Sequence, residues 1–296
     1  MPPQAVSPVP GIVMVLAAMS VLPLSDVTAK YLALSLPLLQ VAWARYFFHF
    51  IFTLPIALAA HGTRALWPHA PRMQLLRGAL LMLSTICFYA GLRRLPVADS
   101  VAVLFVAPLA VTVLAPFALG ERVGIRRYTA AAIGFVGALV IIRPGGATYG
   151  WHALFPMMSG LSYAGYILIT RRIAGTAPAV VSLGFTALIG AGALTATLPF
   201  VWQWPTLGQA ACMVAMGPLA LGGHYLLIRA HEGVAASLLA PFQYWQIVSS
   251  AAVGFAVFGD FPDRWTWIGS AILIASGLYV TLRERQLALR AKAVGP

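Results

Sequence analysis

The sequence predicts an all-α polytopic membrane protein, with about ten transmembrane helices in two inverted five-helix repeats. Three observations carry that expectation. Hydrophobic residues make up 60% of the 296 positions and charged residues only 9%, where soluble domains carry about 25% charged residues. The apolar residues fall in runs of roughly 20, the length that crosses a bilayer core. The chain also repeats itself at a spacing near 139 residues. Gly11, Met19, Ser20 and Leu22 return as Gly150, Met158, Ser159 and Leu161. Tyr89 and Arg93 return as Tyr225 and Arg229, and Gly120-Glu121 returns as Gly259-Asp260. If each copy crosses the bilayer five times, the second enters from the opposite face.

In the first copy the runs read as spans at 11–33, 38–60, 72–92, 97–119 and 126–142. In the second they read as spans at 150–170, 179–200, 207–230, 234–258 and 265–282. The halves join at 143–149, Arg-Pro-Gly-Gly-Ala-Thr-Tyr, which gives repeats over 1–145 and 146–296. Only Arg93–Pro96 joins spans three and four, and only His231–Gly233 joins eight and nine. Helices connected that tightly pack antiparallel. The longer connections at 61–71 and 201–206 carry Trp67, Trp202 and Trp204, residues suited to the membrane–water interface. Pro23, Pro55, Pro108, Pro116, Pro156, Pro199, Pro218 and Pro241 fall inside spans. Each removes a helical hydrogen bond, which hydrocarbon tolerates only where protein or cavity water satisfies the freed carbonyl. Pro108 and Pro241 lie in matching spans and read either as paired hinges or as packing kinks.

The net charge of +12 is distributed as a topology signal. With the N-terminus cytoplasmic, the cytoplasmic segments hold Arg64, Arg72, Arg77, Arg122, Arg126, Arg127, Arg171, Arg172, Arg229, Arg283, Arg285, Arg290 and Lys292. The opposite face holds only Lys30, Arg93, Arg94, Arg143 and Arg264. Short basic loops stay cytoplasmic, so both termini are expected inside. No cluster of charge with exposed aromatics suggests a nucleic-acid partner. Residues 1–10 lack Lys and Arg, so no cleavable signal peptide is expected. Cys87 and Cys212 both fall inside spans and read as small apolar residues.

The stretch Ala240-Pro241-Phe242-Gln243-Tyr244-Trp245, leading to Phe258-Gly259-Asp260-Phe261-Pro262-Asp263, resembles the second repeat of the EamA family. Ala107-Pro108 leading to Leu119-Gly120-Glu121 resembles the first. That family belongs to the drug/metabolite transporter superfamily, and the resemblance covers essentially the whole chain. It extends to bacterial YddG-type exporters of aromatic and other amino acids. It implies ten helices in two inverted repeats around a cavity that opens alternately to each side. Asp260 stands where Glu is commoner, which keeps the charge but shortens its reach. The inverted halves put Glu121 at the cytoplasmic face, near Arg122, Arg126 and Arg127, and Asp260 at the outer face, near Arg264. These acids read either as gating latches or as solvated ion pairs at helix ends.

Asp26 is the one acid well inside a span, where ionisable groups are costly and usually functional. It reads as a partner for a substrate ammonium, as a carrier of a coupling proton, or as a structural partner of Arg45. Arg45 either takes a substrate carboxylate bidentately or runs to the outer interface. Asp99, at the start of span four, suits the positive helix end. Tyr89, Tyr163, Tyr166, His224, Gln243, Tyr244, Trp245 and Gln246 lie at depths that suit either a wet cavity or helix packing. Gln243 and Gln246, at i and i+3, share a helix face, and two unpaired amides in lipid would be costly.

Enzyme chemistry finds no support in the residues. His224 and His231 lack a third metal ligand at comparable depth. Gly160-Leu161-Ser162-Tyr163-Ala164-Gly165 is not a nucleophile elbow, and no phosphate-binding glycine loop precedes a lysine. No cofactor is implied. The expectation is a bacterial inner-membrane carrier, a monomer surrounded by lipid, that exports small amphipathic metabolites. Aromatic and neutral amino acids lead the candidates, with nucleosides, vitamins or drugs as alternatives and an intramembrane enzyme as the rival of another class.

Overall fold

A computed structural model describes residues 9–63, 70–120, 123–143, 150–234 and 236–293. The helices are α1 (Val9–Ala33), α2 (Leu38–His61), α3 (Pro71–Leu92), α4 (Val97–Leu104), α5 (Val106–Leu119) and α6 (Ile125–Ile142). There follow α7 (Leu154–Arg172), α8 (Ala179–Thr195), α9 (Leu198–Val201), α10 (Leu207–Gly233), α11 (Ala236–Gln243), α12 (Trp245–Phe258) and α13 (Arg264–Ala293). Among the described residues, eight helical stretches are long and apolar enough to cross a membrane, α4 and α5 counting as one. α8 is a shorter apolar helix, and α11 with α12 covers the ninth expected span. The chain is an all-helical polytopic membrane protein.

The departures from plain spans lie in the fourth, seventh and ninth. The seventh stops at Thr195, and the single-turn α9 follows. The fourth breaks at Phe105 and the ninth at Tyr244. Pro108 stands in the first turn of α5, where backbone N–H groups have no intrahelical acceptor; a proline fits there and marks a new start. Pro241 instead precedes its break, inside α11, where its ring crowds the carbonyl one turn back. The two prolines are therefore not matched in position, although their spans are both broken.

The other ends of these spans are matched. α5 and α12 finish on Gly120 and Gly259, at φ 70° and 72°. Their N–H groups donate to the carbonyls of Pro116 and Phe255. This left-handed cap favours glycine because it has no Cβ to clash, which accounts for the glycine of the repeated Gly-acid pair. The start of α10 is fixed by a capping box, in which Gln209 N–H donates to Thr206 Oγ1 and Thr206 N–H to Gln209 Oε1.

Packing relates the halves. α1 lies along α10, with Gly11 against Val234, Leu22 against Gly223, and Gln209 Nε2 donating to Ser35 Oγ. α3 lies along α7 in the same manner, with Gly91 against Pro156, Ser84 bonded to Ser159, and Leu80 against Gly165. Exchanging residues 9–143 for 150–293 turns the first contact into the second. The helices that pair with their own counterparts run antiparallel. On α2 and α8, Trp43 bonds Thr195, Tyr46 covers Gly190 and Thr53 faces Gly184. On α6 and α13, Ser276 donates to the Ala130 carbonyl while Gly137 faces Gly269. Val97 of α4 faces Gly254 of α12. Matching helices thus point in opposite directions.

The Tyr89/Tyr225 match has a spacing of 136 residues. Tyr89 is fully buried whereas Tyr225 is 54% exposed.

α6 and α13 approach through glycine on both sides. A Cβ on Gly137 would lie 2.8 Å from the Gly269 carbonyl oxygen, and one on Gly269 2.5 Å from that of Gly137. Small residues at such contacts let transmembrane backbones meet. Gly137→Val should push the helices apart at a cost of about 1–3 kcal/mol, read as a lower thermal midpoint of the purified protein. An unchanged midpoint would show that this contact is not tight.

Candidate functional site

At mid-depth the halves enclose a cavity of about 210 Å³. Its polar lining is Asp26 of α1, Arg45 of α2, Ser84, Thr85 and Tyr89 of α3, Ser159 and Tyr163 of α7, His224 of α10, Gln243 of α11 and Gln246 of α12. Phe88 and Phe105 supply rings, and Pro108 lies on its wall. The two breaks place Gln243 and Gln246 here from two different helices. A second cavity of about 570 Å³ adjoins it, sharing Phe105, Pro108, Ile167 and Gln243. Its rim includes Arg171 and His231, both exposed. The Phe105 and Tyr244 rings, 4.8 Å apart, stand where the two helix breaks meet.

The charged centre of the first cavity is an open pair. Arg45 Nη1 lies 3.8 Å from Asp26 Oδ1, beyond hydrogen-bond distance, and donates instead to Tyr89 Oη at 3.1 Å. Asp26 receives no hydrogen bond from a described residue. Arg45 therefore turns inward and does not reach for an interface. Both groups keep hydrogen-bonding capacity free for a third partner. Tyr163 stacks on Tyr166, with centroids 5.4 Å apart, and presents a flat wall to the same space.

The end of the bundle away from Arg171 is tied together by ion pairs and hydrogen bonds. Lys30 of α1, 7% exposed, donates to Asp260 Oδ2 at 2.6 Å and to the Leu95 carbonyl at 3.0 Å, and lies over the Phe258 ring. Arg143 pairs with Asp263 at 2.7 Å. Burial alone would raise the Asp263 carboxyl; the Thr266 N–H and Arg143 outweigh it and hold it below its ordinary value. This bond is therefore fully formed above the ordinary carboxylate pKa of about 3.9 and is lost as pH falls through the lower folded value. Arg93 donates to the carbonyls of Ala33 and Leu36, satisfying groups that the end of α1 leaves unpaired. Gln40 exchanges two hydrogen bonds with the Gln203 backbone.

Several expectations are corrected. Asp260 pairs with Lys30 and not with Arg264, whose guanidinium lies over Trp265. Trp245 faces outward and donates to Ser20 Oγ, because the break at Tyr244 rotates it off the Gln243–Gln246 face. Tyr244 lines the second cavity, and Tyr166 lines a third one of about 300 Å³. Pro241 is exposed and lines none of these cavities. Asp99 is buried in the first turn of α4. Glu121 lies outside the described residues. Arg77, read as part of a cytoplasmic segment, is buried on α3. Sequence reasoning also missed Ser84, Thr85, Phe88 and Phe105. A Ser-Thr pair within an apolar run was the available signal for the first two.

Closure at the Lys30–Asp260 end can be tested in a Thr85→Cys protein whose Cys87 and Cys212 are replaced by serine. A membrane-impermeant thiol reagent should reach the new thiol only from the Arg171 side. Adding Asp260→Asn, which leaves buried Lys30 without its acid, should admit the reagent from the Lys30 side as well. Labelling that stays one-sided would show that the ion pair does not hold this end shut.

Comparisons with known proteins agree with this architecture. Residues 9–143 match the EamA-like transporter family. The riboflavin transporter of Rhizobium johnstonii is 30% identical over 266 residues, covering 88% of this chain and 87% of that protein. The S-adenosylmethionine uptake transporter of Rickettsia bellii is 28% identical, covering 88% and 90%. The pseudopaline exporter CntI of Pseudomonas aeruginosa is 24% identical, covering 69% and 72%. One crystal structure superposes with a TM-score of 0.64 at 19% identity, over 94% of this chain and 97% of that one, which shows a shared fold. On these matches this multi-pass chain belongs to the EamA-like transporter family of the drug/metabolite transporter superfamily.

Proposed function

We propose that this transporter exports small amphipathic metabolites, aromatic and neutral amino acids foremost, by alternating access through the central cavity. The observation that carries the reading is the Asp26–Arg45 pair, held 3.8 Å apart and facing the cavity beside Tyr89. An α-amino acid brings an ammonium for Asp26 and a carboxylate for Arg45. Its side chain then meets Phe88, Phe105 and Tyr163, while Gln243 and Gln246 offer neutral hydrogen bonds. Charge-assisted contacts of this kind contribute about 1.5–3 kcal/mol each, enough for selection without trapping the solute.

In this reading residues 1–145 and 146–296 act as the two repeats of a monomer in the bacterial inner membrane. Basic loops keep both termini in the cytoplasm, so the Arg171 rim faces inward and the Lys30–Asp260 end outward. Release to the outside then requires the outer ion pairs to part while the Arg171 rim closes. Asp260 and Lys30 serve as the outer gate, and the breaks at Phe105 and Tyr244 as the hinges.

S-adenosylmethionine, the solute named for the Rickettsia relative, carries the same ammonium and carboxylate on a methionine moiety and adds a purine ring. It suits this site equally. Riboflavin, named for the Rhizobium relative, offers a planar ring without that charge pair, and the aromatic lining favours it as a second reading. The direction of transport follows the gradient, and the named relatives include both uptake and export.

Counterflow into proteoliposomes separates these solutes. Labelled L-phenylalanine or S-adenosylmethionine should show saturable flux that Arg45→Gln and Asp26→Asn each reduce by about tenfold, the effect of losing roughly 1.4 kcal/mol. Saturable riboflavin flux insensitive to both substitutions would overturn the amino-acid reading. If Asp26 carries a coupling proton, Asp26→Asn should also flatten the pH dependence of transport, and a dependence that persists would remove it from that role.

A further inference from the structure

Among the described residues, one buried charge lacks an acid. Arg77 of α3 is 2% exposed and donates Nη1 to Gln74 Oε1 at 3.0 Å and Nη2 to Tyr166 Oη at 3.4 Å. Its guanidinium lies 5.1 Å from the Tyr166 ring centroid. Every one of these partners is neutral. Its Nε has no hydrogen-bond partner, and among the described residues no carboxylate pairs with it. Arg45, Lys30 and Arg143 each have an aspartate within 4 Å, so Arg77 is an exception within this bundle.

The guanidinium lines a cavity of about 300 Å³ between α3, α7, α8 and α10, along with Tyr166, Thr170, Ser182 and His224. His224 also lines the central cavity, so the two spaces share a wall. An unpaired buried charge costs several kcal/mol. Its N–H donors form a planar fork whose geometry fits a carboxylate or phosphate. Hydroxyls of Tyr166, Thr170 and Ser182 and the His224 ring supply further polar contacts around it.

We propose that Arg77 anchors a second subsite, which takes a compact oxyanion, a phosphate or carboxylate group carried by the transported solute. The subsite extends the substrate class from zwitterions to solutes bearing an additional acid. Its place in transport rests on the carrier reading above; its test does not.

The full-length protein in nanodiscs is titrated with radiolabelled inorganic phosphate at constant ionic strength set with chloride. Saturable binding to the wild type is expected. Arg77→Gln should weaken it at least about tenfold, while Arg45→Gln should retain it. Competition by methylphosphonate but not malonate assigns the site to phosphate groups, and the converse assigns it to carboxylates. If Arg77→Gln does not yield monodisperse protein, Arg77→Lys serves. It keeps the charge but loses the fork, and should weaken binding several-fold. No saturable binding to the wild type, or full affinity in the Arg77 variant, overturns the subsite. Phosphate binding that persists where amino-acid flux fails sinks the carrier reading alone, and intact flux without phosphate binding sinks the subsite alone.

Discussion

Pairing of charge in a medium without water is the constraint on which this architecture depends. A buried ion pair is a weak source of stability, but removing one partner costs about 3–5 kcal/mol because the survivor stays desolvated. An exposed pair is worth about 0–1 kcal/mol. By that scale the contacts at the Lys30–Asp260 end are unequal. Arg143–Asp263 is partly exposed, whereas Lys30 is buried and needs Asp260 wherever it stays buried. If that end opens, both charges reach water and the cost of separating them falls. An ion pair at a rim is therefore reversible where one in a core would be permanent.

The same logic separates the centre from the rim. Asp26 and Arg45 lie too far apart to bond each other, and Tyr89 holds the guanidinium in that position. The pair is close enough to lower the cost of burial, yet open enough to admit a ligand. The helix breaks serve the cavity in a related way. Phe105 and Tyr244 interrupt two antiparallel spans at the depth where the cavities meet, and backbone released from a helix is tolerable in a membrane only against protein or water. The matched Gly120 and Gly259 caps then end both spans in one geometry.

Much of this was legible in the sequence. Run length and low charge located the spans, since a helix that crosses lipid must be long and apolar. The repeat at 139 anticipated the antiparallel matching of α2 with α8 and α6 with α13. Asp26, Arg45, Gln243 and Gln246 stood out because polar groups are scarce at that depth, and all four line the cavity. What periodicity could not supply was rotation. The break at Tyr244 turns Trp245 outward, and no spacing rule anticipates a change of helix axis. Lys30 and Asp260 are 230 positions apart, so their pairing depends on how α1 meets α12. Arg77 was counted with the cytoplasmic charge although it falls inside the expected span 72–92, because positive charge near a span end usually marks the cytoplasmic side. The helix begins at Pro71, more than a turn earlier, and carries the side chain inside.

The proposed alternating access has the Arg171 rim and the Lys30–Asp260 end open in turn. Spin-label distances in nanodiscs address it directly, with one pair across the rim at Arg171 and Thr281 and another across the Lys30–Asp260 end at Ser35 and Phe261. Saturating L-phenylalanine should shorten the first distance and lengthen the second in the same fraction of molecules. Distances that stay fixed, or that both lengthen together, would contradict the account.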